Sequence, residues 1–426
     1  MLRRSFLTLA GAALAGAAAP SAPGRPAGSG SRARAPGPVS WDTLRDQFEL
    51  EPGRINFGGF FLAQVPRTVR DAVARHRAEL DKDPMGCWEE NNRRREEAVR
   101  AAAGEYLGVN GPREVALTDS TTMGLGILYS GIVIRQDQHV LSTVHDHWAT
   151  SNVLGMRAAK SGITVNRITL YENPAAASAG DIVARLRGAI TPSTRVLALT
   201  WLHSVSGVKL PLARIAEVVA DANAGRSDED RLLFCVDGVH GLGIDDVTLP
   251  QLGVDFFAAG THKWMLGPRG TGILWGREKL WEQLIPSVCS FSGGDSPAQE
   301  FTPGGFHTFE HRWAADEAFK FHLALGKARV AQHLRGLSER VREEFARIPG
   351  LTLHTPRDWD LSAGITCFLV DGRTPAQVVG ALKERGITAS VSPYRPQTAR
   401  VACCVWNTDD DVTTLVKETR RICGTG

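Results

Sequence analysis

The sequence of 426 residues has no strong excess of either charge. Its 49 Lys and Arg residues nearly balance 46 Asp and Glu residues, and the formal net charge is +3. The one dense basic cluster, at residues 93–95, is followed at once by Glu96 and Glu97, a pattern typical of a solvated helix face. The charge pattern therefore gives no support for a nucleic-acid surface, and no nucleic-acid partner is expected.

Long apolar runs are missing after the N-terminal region, so no membrane helix is predicted there. Cysteine is scarce too, and the odd number of cysteines does not suit a framework of disulfide bonds. Because several of them stand inside apolar, strand-like runs, the sequence predicts buried free thiols. The seven cysteines are Cys87, Cys235, Cys289, Cys367, Cys403, Cys404 and Cys423.

Several nucleotide and catalytic motifs are also missing. The glycine-rich segments "GVHGLG" and "GPRGTG" do not fit G-x-G-x-x-G, and neither opens a helix after the first strand of a unit, so a nicotinamide site is not predicted. No Walker A lysine motif and no G-x-S-x-G elbow is present. His145 and His147 have no third ligand at a characteristic spacing, so no metal site is predicted.

The first residues form a segment of their own, predicted to lie outside the fold. Arg3 and Arg4 are followed by Ser5, Phe6, Leu7 and a short Ala-, Leu- and Gly-rich run, the pattern of a twin-arginine export signal. A Pro-, Gly-, Ser- and Arg-rich stretch up to Pro38 is typical of a linker, which disfavours the alternative of an N-terminal helix of the mature domain. Residues 1–38 are therefore predicted to direct a bacterial protein to the periplasm or outside the cell. This route generally carries proteins that fold first, often around a cofactor, so a tightly bound cofactor is expected.

Short apolar strands alternate with helical patterns through the middle of the chain. Examples are "EVALTDS", "QHVLST", "TRVLALTWLHS", "RLLFCVDG" and "VDFFAAG". This alternation predicts an α/β fold with a mostly parallel sheet covered on both faces, and ligands bind such sheets beyond the carboxyl ends of the strands. After about Asp316 the pattern changes to helix, strand, helix and strand, which predicts a second, smaller α+β unit.

Polar residues collect at the predicted strand ends, and Lys263 is the most informative of them. A lysine at the end of a buried strand becomes nucleophilic by desolvation, which suits a covalent bond to pyridoxal phosphate. That cofactor needs a carboxylate at its ring nitrogen, a phosphate site and a flat ring to stack on. The candidate carboxylate is Asp237, and the candidate phosphate site is the segment of Ser120, Thr121 and Thr122. The candidate flat ring is His147, with Trp148 beside it.

Two segments carry a resemblance to a known family. "VDGVHGLG" and "DFFAAGTHKWMLGPRGTGILWG" resemble the class V aminotransferases, which are pyridoxal phosphate enzymes of fold type I. The resemblance extends over nearly all of residues 50–420, including "INFGGFFLAQVPRTVRDAV" and "ARVACCVWNTDDDV". It implies that Lys263 is the Schiff-base lysine and that Asp237 and His240 form the family's Asp-x-x-His pair. "INFGGFF" and "DPMGCWEENNRRREEAVRAAAGEYLG" are most similar to the isopenicillin N epimerase-like subgroup.

The resemblance implies a complete set of roles and a domain plan. A fold-type I chain would have a large cofactor domain over 76–300 with a seven-stranded, mostly parallel sheet, a small domain over 315–426 and an N-terminal segment over 39–75. A homodimer is implied because the family's active sites form at the subunit interface. The catalytic residues would be Lys263, Asp237 and His147. The cofactor-binding residues would be Ser120, Thr121, Thr122, His147, Trp148, His203, Ser204, Asp237, His240, Thr261, His262 and Lys263, and the substrate-binding residues Asn56, Phe57, Gly58 and Arg400.

The chain departs from the family pattern at three places. Trp313 and Ala314 replace the Gly-Thr that reaches the neighbouring subunit's phosphate, and Thr308, His311 or Arg312 are the alternatives for that contact. "TASVSPYRPQTAR" lacks the cysteine that desulfurases carry on this loop, which disfavours persulfide chemistry. Ser204 stands where an asparagine usually bonds the cofactor's phenolic oxygen.

The expected reaction begins with removal of the α-proton of an amino acid by Lys263. Epimerisation or β-elimination of a sulfur substituent is preferred on the subgroup resemblance. Transamination and oxygen-dependent oxidation or decarboxylation are alternatives, and a non-catalytic binding protein is a remote one. Apart from the amino-acid substrate and a second copy of the chain, no partner is expected.

Overall fold

The computed structural model describes residues 41–291 and 296–424. The predicted export signal and linker, residues 1–38, lie outside the described residues. Within the described ranges, no helix combines the length and apolar character needed to cross a membrane.

The described residues contain the following regular elements. The strands are β1 Ile55–Asn56, β2 Val115–Thr118, β3 His139–Thr143, β4 Thr164–Ile168, β5 Thr194–Thr200, β6 Leu233–Asp237, β7 Phe256–Gly260, β8 Gly272–Gly276, β9 Leu351–Leu353, β10 Ile365–Val370, β11 Ile387–Thr388, β12 Ser390–Val391 and β13 Ala399–Ala402. The α-helices are α1 Arg67–Lys82, α2 Pro84–Leu107, α3 Gly111–Glu114, α4 Thr121–Gly131, α5 Trp148–Ser161, α6 Ala179–Ala189, α7 Leu212–Asn223, α8 Leu249–Leu252, α9 Phe309–Trp313, α10 Ala315–Leu325, α11 Lys327–Phe345, α12 Pro375–Glu384 and α13 Asp409–Ile422. Short 3-10 helices cover Trp41–Gln47, Pro174–Ala176, Glu278–Gln283, Pro297–Phe301 and Trp359–Leu361.

A seven-stranded sheet forms the centre of the large part, in the order β2-β8-β7-β6-β5-β3-β4. Strand β8 runs antiparallel to both of its neighbours, whereas β7, β6, β5, β3 and β4 pair in parallel. This confirms the predicted α/β fold with a mostly parallel seven-stranded sheet.

The two faces of the sheet explain why its strands are apolar along their whole length. Leu197, Leu199, Phe234, Val236 and Phe257 pack into the core on one face. Their alternate neighbours pack into the core on the other face, namely Val196, Ala198, Leu233, Cys235 and Phe256. Because helices cover both faces, neither set of alternate residues can be polar, and the strands show continuous apolar runs.

The smaller C-terminal part is built around an antiparallel sheet in the order β12-β13-β10-β9. Its core includes apolar residues of α11, α12 and α13, which confirms the predicted smaller α+β unit. Strand β1, from the N-terminal segment, pairs in parallel with β11. This pairing places the "INFGGFF" segment beside the C-terminal part. Ala315 and Phe319 of α10 pack instead into the core of the large sheet.

All seven cysteines lie within the described residues, and none of them pairs with another. Five are buried, in agreement with the prediction of buried free thiols, whereas Cys289 is exposed and Cys423 is partly exposed.

Candidate active site

Lys263 lies three residues after the end of β7, at the carboxyl edge of the sheet. Its Nζ atom is 3.1 Å from Nε2 of His240. Burial and, to a smaller extent, the positive charge of Arg400 lower the pKa of the Lys263 amine to about 8, against the opposing effect of Asp237. Burial likewise holds the pKa of His240 well below its ordinary value, so this imidazole is neutral. The amine therefore has a substantial uncharged, nucleophilic fraction near neutral pH.

Asp237 is the last residue of β6 and is almost fully buried. Its Oδ1 atom accepts a hydrogen bond of 3.2 Å from the backbone N–H of Val239. Its Oδ2 atom is buried and has no partner among the described residues. Burial raises the pKa of Asp237 to about 6. A buried carboxylate oxygen without a donor is rare in proteins, and the protonated ring nitrogen of pyridoxal phosphate would supply that donor. The residues present therefore fit this cofactor.

Helix α4 begins at the same edge of the sheet. Ser120 caps it, since its Oγ atom accepts a hydrogen bond of 3.1 Å from the N–H of Met123. Thr121 Oγ1 accepts a 2.7 Å hydrogen bond from the N–H of Gly260, which ties the start of α4 to the end of β7. A Cβ atom at Gly260 would lie 2.8 Å from the ring of His262, so this close approach requires glycine. The first N–H groups of a helix lack intrahelical acceptors and favour an anion, as a phosphate site requires.

His147 is fixed as the N-terminal cap of α5. Its ring Nδ1 atom accepts a hydrogen bond of 3.1 Å from the backbone N–H of Ala149. The backbone N–H of His147 donates to Thr200 Oγ1 at 3.1 Å. Burial lowers the pKa of His147 to about 4, so its ring is neutral at physiological pH. A neutral, flat ring held by its backbone suits the predicted role of stacking on a cofactor ring.

Asp146, which lies between His145 and His147, has a structural role. Asp146 is buried and accepts hydrogen bonds from Ser142 Oγ, from Thr143 N–H and Oγ1, and from Thr200 N–H. Its carboxylate oxygens are therefore used inside the fold, where they hold the turn after β3 against the end of β5.

Arg400 on β13 enters the site from the C-terminal part. Its guanidinium donates to the backbone oxygen of Ser204 at 2.8 Å and to that of Val391 at 3.1 Å. The Arg400 Cζ atom lies 5.0 Å from the ring centroid of Phe60. Its buried Nε atom has no partner among the described residues. These contacts fix the guanidinium while leaving donor capacity for a carboxylate.

A cavity of about 340 Å³ joins these groups. Of the residues predicted from the sequence, it is lined by Ser120, Thr121, Thr122, His147, Trp148, Ser204, Asp237, His240, His262, Lys263 and Arg400. The sequence did not point to Phe61, Leu62, Ala149, Val239 and Pro393, which also line it. Tyr394 was missed too, and its hydroxyl lies 3.3 Å from Ser204 Oγ. A neighbouring sequence signal existed for several of them, since Phe61, Leu62, Val239, Pro393 and Tyr394 all stand inside segments quoted above.

Two of the predicted cofactor residues do not line the cavity. His203 is buried behind it, where its Nδ1 atom lies 2.7 Å from the hydroxyl of Tyr171, whose ring stacks on His145 at 3.9 Å. Thr261 pairs with Thr271 through its hydroxyl and its backbone N–H. In this structure both residues shape loops next to the site.

The predicted substrate segment 56–58 does not line the cavity either. Asn56 Oδ1 accepts a 2.7 Å hydrogen bond from the N–H of Gly58, and Asn56 Nδ2 donates to Gln64 Oε1 at 2.9 Å. Phe57 is buried in the core of the C-terminal part. The segment therefore sets the path of the chain that leads to Phe61.

The residues considered for a contact between subunits do not line this cavity. Trp313 is buried, and its Nε1 atom donates to Asn92 Oδ1 at 3.0 Å. Arg312 is buried in ion pairs with Glu96 and Asp119. The remaining candidates are Thr308, which lines a separate cavity of about 660 Å³, and His311, whose Nδ1 atom lies 3.0 Å from the backbone oxygen of Arg269.

Comparison with known proteins agrees with this geometry. Residues 71–415 match the family "Aminotransferase class-V". Isopenicillin N epimerase of Streptomyces clavuligerus is 26% identical over 409 residues, covering 88% of this chain and 97% of that protein. A cysteine desulfurase of Serratia proteamaculans (strain 568) is 24% identical over 354 residues, covering 76% of this chain and 82% of that protein.

The fold also matches a solved structure of a mutant of C-DES with glycine covalently linked to the PLP cofactor. The TM-score is 0.78 and the sequence identity is 21%, with coverage of 88% of this chain and 98% of that one. The chain therefore belongs to the class V aminotransferase family of pyridoxal phosphate-dependent enzymes.

Proposed function

We propose that this enzyme removes the α-proton of an amino acid and then inverts the α-carbon or eliminates a sulfur substituent from the β-carbon. The observation that carries the proposal is the convergence, in one cavity, of the lysine amine, an unpaired buried carboxylate oxygen and a fixed guanidinium. Bound pyridoxal phosphate supplies the electron sink that stabilises negative charge at the α-carbon.

Each of these three side chains has a distinct part in the proposed reaction. When pyridoxal phosphate is bound, Lys263 would hold it and, once free again, would accept the α-proton on Nζ, which burial keeps partly uncharged. Asp237 would hold the protonated ring nitrogen, because its buried Oδ2 atom has no other partner among the described residues. Arg400 binds the α-carboxylate, because its guanidinium is fixed by the backbone oxygens of Ser204 and Val391.

Inversion is supported by the match to isopenicillin N epimerase, which extends over nearly the whole of that protein. Elimination is supported by the match to a cysteine desulfurase, a protein whose name describes removal of sulfur from cysteine. Transfer of sulfur to an enzyme cysteine has less support, because no cysteine lines the cavity in the described part of the chain. Transamination and oxygen-dependent chemistry would also begin with removal of the α-proton, and the products of the assay distinguish them.

We further propose that the enzyme is a homodimer exported by the twin-arginine pathway. The homodimer rests on the family, and export rests on Arg3, Arg4 and the apolar run that follows them.

The test is exchange of the α-proton for deuterium. The purified holoenzyme is incubated in deuterated water with a panel of amino acids that includes S-substituted cysteines, and label and products are followed by mass spectrometry. Label in an intact amino acid of changed chirality supports inversion, and a thiol with a keto acid supports elimination. Lys263→Ala should abolish exchange, whereas the exposed Lys279→Ala should not. A colourless protein with no exchange for any amino acid would instead support a binding protein.

A further inference from the structure

The loop that follows β5 is joined to the C-terminal part through three consecutive backbone carbonyl oxygens. Each oxygen accepts a hydrogen bond from a different side chain of the C-terminal part. These bonds are Arg400 Nη1 to Ser204 at 2.8 Å, Thr398 Oγ1 to Val205 at 3.1 Å and Thr355 Oγ1 to Ser206 at 2.8 Å. Residues 204–206, here called the acceptor loop, therefore receive one cation and two neutral hydroxyls from the same part of the chain.

The three donor side chains are buried within a single chain. Thr398 is 0% exposed, Thr355 is 1% exposed and Arg400 is 3% exposed. Gly207, which follows the acceptor loop, has φ of +72°, and a Cβ atom there would lie 2.5 Å from Thr355 Oγ1. Glycine is therefore required for the close approach of the loop to Thr355. Because burial only increases when chains associate, a second subunit would neither reach nor replace these bonds.

The large part of the chain holds the acceptor loop from its own side. The hydroxyl of Tyr171 lies 2.9 Å from Ser206 Oγ and 2.7 Å from Nδ1 of His203, the residue that precedes the loop. Burial raises the pKa of the Tyr171 hydroxyl and holds the pKa of His203 well below its ordinary value, so both groups are neutral. The acceptor loop is therefore fixed by both parts of the chain, and Arg400 supplies the charged one of its three carbonyl contacts.

The position of Arg400 depends on this loop. The guanidinium has two backbone acceptors, of which Val391 belongs to its own sheet and Ser204 to the large part. Thr398 stands two residues before Arg400, a spacing that places both side chains on the same face of an extended chain. The two side chains accordingly bind adjacent carbonyl oxygens. The bond from Thr398 to Val205 thus fixes the register between the acceptor loop and β13 next to the contact that Arg400 makes.

We propose that Thr398 and Thr355 are positioning residues for substrate binding, because they hold the acceptor loop so that the Arg400 guanidinium is in place before the α-carboxylate arrives. The inference rests on the proposed function, in which Arg400 binds that carboxylate. A group that is fixed in advance loses less conformational entropy when its ligand binds. Neutral hydroxyls can hold the carbonyl oxygens without placing a second cation beside the carboxylate site.

The test measures how strongly the holoenzyme prefers a carboxylate to an amide. Dissociation constants of L-alanine and L-methionine, and of their amides, are measured at one pH from the absorbance of the bound cofactor. The wild type should bind each acid at least about tenfold more tightly than its amide. Thr398→Val and, independently, Thr355→Val should each lower this preference at least about threefold. Thr398→Ser keeps the hydroxyl and should retain the preference.

A ratio of two ligands separates positioning from a general loss of structure, which would weaken both ligands alike. Thr419→Val is the matched control, because Thr419 is also 0% exposed but donates to the oxygen of Leu415 within α13, at 2.8 Å. It should leave the preference unchanged. In an Arg400→Lys background, Thr398→Val should change the preference by less than about twofold, since Thr398 acts through Arg400.

The outcomes separate this inference from the proposed function. An unchanged preference in both Thr398→Val and Thr355→Val would overturn the inference and leave the proposed function standing. An equal effect of Thr398→Val with and without Arg400 would overturn it too, because the hydroxyl would then act on some other group. A wild-type enzyme that binds acid and amide equally well would contradict the role of Arg400 in the proposed function itself.

Discussion

Arg312 Nη2 lies 2.8 Å from Asp119 Oδ1, and this ion pair joins α9 to the residue that precedes the N-terminal cap of α4. Arg312 also pairs with Glu96 at 3.2 Å, and Glu96 in turn pairs with Arg100. The ring of His307 stands 3.5 Å from the other oxygen of Asp119. This largely buried network of charges therefore fixes the start of α4, which is the candidate phosphate site.

This network predicts that Arg312 positions the phosphate site of its own chain. Arg312→Ala would remove the cation that Glu96 and Asp119 share, but Glu96 would keep its ion pair with Arg100. The loss of stability should therefore be no more than about 3 kcal/mol, the lower end of the cost of breaking a buried ion pair. We expect a lower thermal midpoint and weaker binding of pyridoxal phosphate, both measured by following the cofactor's absorbance.

The control for this variant is Arg340→Ala. Arg340 forms an ion pair with Asp409 on the surface, where such pairs contribute at most about 1 kcal/mol. Equal effects of the two substitutions would contradict the positioning role of Arg312.

The unpaired Oδ2 atom of Asp237 predicts a large effect of a nearly isosteric change. Asp237→Asn removes the negative charge that would keep the ring nitrogen protonated, and a lost hydrogen bond to a charged group corresponds to about 3 kcal/mol. The exchange rate should therefore fall by roughly 100-fold or more. Asp255→Asn is the matched control, because Asp255 is equally buried but pairs with Arg231 and Arg277 away from the cavity. It should lower stability and leave the exchange rate of the folded enzyme nearly unchanged.

The lowered pKa of Lys263 predicts how the cofactor-free protein takes up pyridoxal phosphate as pH changes. Only the uncharged amine attacks an aldehyde, and its fraction grows as pH rises toward the pKa of about 8. The uptake rate, followed by absorbance, should therefore rise about tenfold per pH unit below pH 7 and level off above about pH 8. Lys263→Arg should form no covalent adduct at any pH. A rate that still rises steeply up to pH 10 would contradict the lowered pKa.

The exposed thiol is predicted to have no part in the reaction. Cys289 is the exposed cysteine, and it does not line the active-site cavity. Cys289→Ser should change the exchange or elimination rate by less than about twofold, as for most surface substitutions. Formation of a persulfide on Cys289 from free cysteine, with alanine as the other product and lost in this variant, would instead indicate persulfide chemistry at this residue.

Export is predicted to depend on the arginine pair at the N-terminus. Replacing Arg3 and Arg4 together by lysine keeps the charge but removes the pair that defines the signal. The double variant should accumulate in the cytoplasm with its cofactor bound, as shown by fractionation and absorbance. Unchanged export would contradict the twin-arginine assignment.

The carboxyl edge of the sheet could be predicted from the sequence because a residue that follows a strand of a parallel sheet must lie at that edge. Continuous apolar runs located β5, β6 and β7, and the residues at or just after the ends of these strands included Ser204, Asp237 and Lys263. Ten of the eleven sequence-predicted residues that line the cavity end or follow strands of this sheet, and the eleventh, Arg400 on β13, was implied by the family resemblance. The same local rule also selected Thr261 and His203, which follow strands but turn away into their own loops.

Contacts between distant parts of the chain were decided by tertiary structure alone. Tyr394 reaches Ser204 across 190 residues, and the loop that carries Phe61 is placed by the pairing of β1 with β11. Periodicity in a sequence reports the face that a residue presents within its own element, but not which other element packs against it. The sequence by itself therefore determined the family, the sheet and the charged base of the site. The contact between Tyr394 and Ser204, the ion pairs of Arg312 and the unpaired oxygen of Asp237 arise from packing between elements, and only the folded chain shows them.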